Sequence, residues 1–66
     1  MSAPRRWIGT FGERFAEIRP VHHDILGTVF AVKVDGDPLS PHEVFLEDAK
    51  EAAETKVNHP LTWSVE

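Results

Sequence analysis

TVFAVKVDGDPLSPHEVFLEDAKEAAETKVNHPLTWSVE, residues 28–66, decides the fold, because its hydrophobic period switches from two to 3.6 and back to two. In Thr28 to Asp35, the apolar side chains Phe30, Val32 and Val34 alternate with Ala31, Lys33 and Asp35, the pattern of a strand with one buried face. Asp35-Gly36-Asp37-Pro38 is turn chemistry and ends that strand. Ser40-Pro41-His42-Glu43 then supplies an N-cap hydroxyl, a proline suited to the first helical position and a glutamate at the capping-box position. Phe45, Ala49, Ala52 or Ala53, and Val57 recur at helical spacing, and the residue before Pro60 avoids the α region, so the spacing predicts a helix over residues 41–57. Leu61, Trp63 and Val65 alternate with Thr62, Ser64 and Glu66, which predicts a short terminal strand.

The first third of the chain supports two readings. Ile8, Phe11, Phe15 and Ile18 suit a short amphipathic helix behind Thr10-Phe11-Gly12-Glu13, whereas Trp7 to Phe11 and Arg14 to Val21 suit a hairpin around Gly12-Glu13. A stable sheet needs three or more strands and the rest of the chain offers two, which favours the hairpin. The expected fold is therefore α+β: a small antiparallel sheet of about three strands packed against one helix, 41–57, with a short strand after it. Its core would comprise Phe30, Val32, Val34, Phe45, Ala49, Ala53, Val57, Leu61, Trp63 and Val65, with the N-terminal aromatics covering an edge.

At 66 residues the chain has room for a single domain, 1–66, with residues 1–5 expected as a flexible arm. A chain this short buries only about 60% of the surface its unfolded form exposes, so its stability is marginal. With 41% apolar residues and six Trp and Phe residues it has a core to pack. Cysteine is absent, which removes disulfides and thiolate metal sites and fits a reducing compartment. No apolar run reaches the roughly 20 residues that span a membrane, and no apolar stretch follows Arg5 and Arg6 as in a signal peptide. The expectation is a cytoplasmic protein.

Charge is unevenly spread. Residues 1–33 carry Arg5, Arg6, Arg14, Arg19 and Lys33 against Glu13, Glu17 and Asp24, a balance of +2. Residues 34–66 carry Lys50 and Lys56 against Asp35, Asp37, Glu43, Glu47, Asp48, Glu51, Glu54 and Glu66, a balance of −6. On the expected helix Glu43, Glu47 and Glu51 are spaced by four, or about 6 Å of rise, with Glu54 continuing the row and Asp48 beside it. Like charges at that spacing repel by a few tenths of a kcal/mol per pair, and only Lys50 and Lys56 offer relief. Successive phosphates along a DNA strand have a comparable spacing.

These observations give the leading functional expectation: a non-enzymatic, protein-binding inhibitor. It would present Glu43, Glu47, Asp48, Glu51 and Glu54 to a basic nucleic-acid-binding protein, in the manner of phage or mobile-element anti-defence proteins such as anti-CRISPRs. That analogy rests on size and charge. The first alternative is a structural or assembly subunit that completes its core by oligomerising. The second is a nucleic-acid-binding accessory protein using Arg5, Arg6, Trp7, Arg14 and Arg19, with Trp7 stacking on a base. The pI near 5.5 weighs against that last reading, because non-specific affinity for nucleic acid follows summed positive charge.

Catalysis, metals and cofactors have little support. No Ser, His and carboxylate grouping has motif context, and no Gly-rich loop joins a strand to a helix. An extended backbone throws His22 and His23 to opposite faces, while His42 and His59 stand about 25 Å apart at helical rise, so no metal site is expected. Asp35-Gly36-Asp37 opens like an EF-hand loop, but the third acidic position is Leu39 and the loop glycine is missing. A turn explains it.

Overall fold

The computed structural model describes residues 6–40 and 42–66. Among them the elements run β1 (Trp7–Phe11), β2 (Arg14–His23), β3 (Gly27–Val34), β4 (Asp37–Pro38), α1 (Leu46–Val57) and β5 (Thr62–Val65). The class is α+β as expected, and the N-terminal third is the hairpin, closed over Gly12-Glu13 with Phe11 opposite Arg14. All neighbouring strands are antiparallel, in the order β4-β3-β2-β1-β5. Five strands form where about three were expected, because the hairpin contributes two and the turn after β3 returns as β4.

Register explains the core. Gly9, Ala16 and Val34 lie in one cross-strand row, and Trp7, Ile18 and Val32 in the next, so their side chains share a face. On that face Ala16, Ile18, Val32 and Val34 pack with Ala49 and Ala53 of α1 and with Leu61, while Trp7, Phe30, Leu39, Leu46, Val57 and Trp63 close the margin. Small alanines at i and i+4 let the helix sit close to the sheet. The opposite face carries the row Ile8, Glu17 and Lys33, and there Glu17 receives Arg6 at 2.5 Å and Arg19 at 3.2 Å.

Three expectations need correction. The helix starts at Leu46 and not at 41, because Glu43 is committed to the sheet: its N–H and C=O both pair with Phe30, at 3.0 and 2.7 Å. This bridge continues the cover of the β3 edge after β4 ends at Pro38, and backbone pairing there outweighs the local capping signal. Pro41, the expected first helical residue, lies outside the described residues, as does the arm at residues 1–5.

Phe45 is not in the core. It is the N-cap, with extended φ −116° and ψ 141°, and that geometry swings its ring out to 66% exposure. Val65 also leaves the core list, 59% exposed on the edge strand. The helix stop is as expected: Asn58 adopts the left-handed conformation, φ 63°, and its N–H bonds the Glu54 and Thr55 carbonyls.

Helix α1 lies over β3 and β2, and reaches β5 through side chains. Glu54 supplies the tie, one oxygen accepting the Leu61 N–H at 2.7 Å and the Trp63 Nε1–H at 3.3 Å. The Trp63 ring lies flat on Gly9, whose missing Cβ would stand 2.9 Å from ring carbons. Lys50 Nζ sits 5.9 Å from the same ring. At the other end of the sheet the β2–β3 hairpin exposes Ile25 and Leu26 at its tip, where His23 Nδ1 accepts both their N–H groups.

Candidate functional site

Between α1 and the β3–β4 edge runs an open groove of about 480 Å³. Val32, Leu39 and Ala52 give it an apolar lining, and Glu43, Asp48 and Glu51 bring carboxylates to it, with Ser40, Thr55 and Lys56 completing the wall. The local reasons are separate for each group. Glu43 reaches the groove because its pairing with Phe30 turns its side chain to the helix-bearing face of the sheet. Asp48, Glu51, Ala52 and Thr55 reach it because they are spaced three and four along one side of α1. Asp48 also stands in the first helical turn, where a carboxylate complements the helix dipole.

The five expected acidic residues are thus divided. Glu43, Asp48 and Glu51 converge on the groove, although Glu43 arrives from the sheet and not from the helix. Glu47 is exposed in the first turn of α1, away from the groove lining. Glu54 is half-buried and engaged with Leu61 and Trp63, so it holds the fold together. The regular row of four-residue steps does not form; three carboxylates lining one groove with apolar surface between them take its place.

The basic set is scattered and occupied. Arg6 binds Glu66 at 2.7 Å and Glu17 at 2.5 Å, and Arg14 binds Asp35. Arg19 binds Glu17 at 3.2 Å. Trp7, half-buried at the core margin, packs edge-on to Phe30 with ring centroids 5.8 Å apart. Arg5 lies outside the described residues. The ionic contacts leave their mark on acidity. The hydrogen bond from Arg6, aided by Arg19, holds the Glu17 carboxyl below the usual glutamate range against the opposing effect of desolvation. The Phe15 N–H, then Arg14, lower that of Asp35 in the same way.

Comparison with known proteins found no matching family model, curated relative or solved structure. The groove must therefore be interpreted from its own chemistry. Among the described residues no three His, Asp or Glu side chains, those of the groove included, stand close enough together to hold a metal ion, and no described helix is long and apolar enough to cross a membrane.

Sequence reasoning missed Leu39 as a lining residue and Phe45 as an exposed side chain. Leu39 lines the groove because its N–H bonds the Val32 carbonyl at 2.8 Å, just past a two-residue strand too short to leave a periodic signal. Phe45 stands exposed between Glu43 and Asp48, both groove residues. Its helical phase with Ala49 and Ala53 masked this, since phase predicts direction only inside the helix.

Proposed function

We propose that this chain is a non-enzymatic, cytoplasmic protein-binding module that lays its acidic groove against a basic partner and blocks that partner's nucleic-acid-binding site. The observation that carries the reading is that Glu43, Asp48 and Glu51 line one apolar-walled groove, with Phe45, between Glu43 and Asp48 in sequence, exposed. Arginine and lysine combine a long aliphatic stem with a charged head, so methylenes can lie on Val32, Leu39 and Ala52 while the head meets a carboxylate. Nucleic-acid-binding sites are the surfaces where such side chains cluster. Aromatic side chains, Phe among them, are enriched in protein interfaces.

The groove presents charge to a partner without reproducing a regular phosphate ladder. Its openness supports binding over catalysis, since carboxylates open to solvent have no burial to set up acid–base chemistry. The proposal extends to the anti-defence class, anti-CRISPR proteins among them, by analogy of size and charge alone.

The test uses two triple charge reversals of equal net charge. One is Glu43→Lys, Asp48→Lys and Glu51→Lys at the groove. The other is Glu13→Lys and Asp24→Lys in exposed turns, with Asp37→Lys on β4, exposed and outside the groove lining. Tagged protein should capture a nucleic-acid-binding protein from an extract of the organism that encodes it, and high salt should release it. The groove variant should lose capture and the control should keep it. Equal loss in both would reduce the groove to general acidity, and equal retention would remove it from the interface.

A further inference from the structure

We propose that the outer edge of β5 is a self-association surface that joins two copies of this chain through an antiparallel, twofold-symmetric strand pair. The inference goes beyond the groove, which lies at the opposite, β4 side of the sheet.

Backbone direction on this edge follows from one hydrogen bond. The Glu66 N–H donates to the Arg6 carbonyl at 2.9 Å, and hydrogen-bonding direction alternates along an antiparallel strand. Ser64 and Thr62 therefore aim their backbone groups at β1, while Trp63 and Val65 aim theirs away from the sheet. Among the described residues no strand lies beyond β5 to receive them. Edge strands are normally guarded by shortness, lysine, proline, a bulge or a covering segment, and at four residues β5 has only the first of these. Thr62-Trp63-Ser64-Val65 has neither lysine nor proline, and it pairs with β1 in unbroken register.

A second copy satisfies this edge by its own geometry. With the twofold axis passing between the two Ser64 residues, Trp63 of each copy falls opposite Val65 of the other. The two residues then exchange both N–H···O bonds, which is the hydrogen-bonded pair of an antiparallel ladder. A twofold perpendicular to the sheet keeps each face on its own side. Each half-buried Trp63 would thus lie beside the Val65 of the other copy, now 59% exposed.

Charge favours this approach over others. The chain carries −4 overall, yet β5 is uncharged and the neighbouring Glu66 carboxylate is held by Arg6 Nε at 3.0 Å and Nη2 at 2.7 Å. The side chains of β5 therefore add no like-charge repulsion of their own between two acidic molecules. Interfaces below about 1,000 Å² are weak or transient, and a four-residue edge belongs to that class. The dimer would place both helices and both grooves on one side of a continuous sheet.

Sedimentation equilibrium from micromolar to millimolar protein, at low and high salt, tests this. The expected result is a monomer–dimer equilibrium that tightens with salt, because screening relieves repulsion between like-charged copies. Binding to a basic partner through the groove responds oppositely, so the two proposals fail independently. Val65→Pro removes an outward N–H without touching the bonds to β1, and Val65→Lys adds a guarding charge. Both should abolish the dimer while dilute samples melt as wild type does. A monomer at every concentration, or a dimer that survives both substitutions, overturns the proposal.

Discussion

Adding one methyl group at Gly9 should destabilise the protein only while Trp63 is present. Gly9 has ordinary strand geometry, so an alanine there is not strained by its backbone. What it lacks is room: the added Cβ would stand 2.9 Å from two Trp63 ring carbons, which real Cβ atoms almost never do. The ring cannot slide away freely, being bonded to Glu54 through Nε1 and flanked by Lys50. Overpacking of this kind costs about 1–3 kcal/mol, offset by about 0.5–1 kcal/mol from the reduced freedom of the unfolded chain. Gly9→Ala should therefore lower stability by about 0.5–2 kcal/mol, or several degrees in Tm for a domain this size. Trp63→Val removes the obstructing ring atoms and keeps a β-branched strand residue, at a cost near the low end of the 3–5 kcal/mol seen for deleting large aromatics. In that background Gly9→Ala should be neutral or stabilising. Urea denaturation of the four proteins, followed by circular dichroism with an osmolyte to keep the weakest folded, gives the coupling energy. If Gly9→Ala costs the same in both backgrounds, the Trp63 ring does not rest on Gly9.

Two further predictions concern single carboxylates. Glu54→Ala should cost about 1.5–3 kcal/mol, typical of hydrogen bonds to a charged group, and speed amide exchange at Leu61, with Glu54→Gln milder because it keeps an acceptor; a variant as stable as wild type would contradict the tie from helix to β5. Glu17 has its folded pKa depressed by Arg6, so its stabilisation is present above the ordinary glutamate value of 4.5 and is lost as pH falls through the lower folded value. Stability measured from pH 6 down to about 2 should fall less steeply in Glu17→Gln than in wild type. Equal slopes would remove the network of Arg6, Glu17 and Arg19 from the account.

Periodicity made most of the fold legible. The alternation of Phe30, Val32 and Val34, the Ala49–Ala53 spacing and the Asn58-His59-Pro60 stop all reappear in β3, α1 and its cap. Periodicity failed where a long-range backbone bond competed with a local signal. Ser40-Pro41-His42-Glu43 has the composition of a helix start, yet Glu43 is claimed by Phe30, which lies thirteen positions away in sequence and next to it in the sheet. That pairing also broke the expected acidic row. Composition alone told that the C-terminal half is acidic, but which carboxylates share a surface depended on the sheet. Glu54 illustrates the limit: on a helical wheel it continues the stripe, and only the position of Leu61 and Trp63 makes it a structural ligand.

In the proposed function the groove occupies the partner's nucleic-acid-binding site. Fluorescence anisotropy of labelled nucleic acid bound to the captured partner tests it directly, with this protein titrated in. Wild type should displace the nucleic acid completely, and the Glu43, Asp48 and Glu51 triple reversal should leave it bound. Nucleic acid that stays on the partner while wild-type protein also binds would contradict the claim.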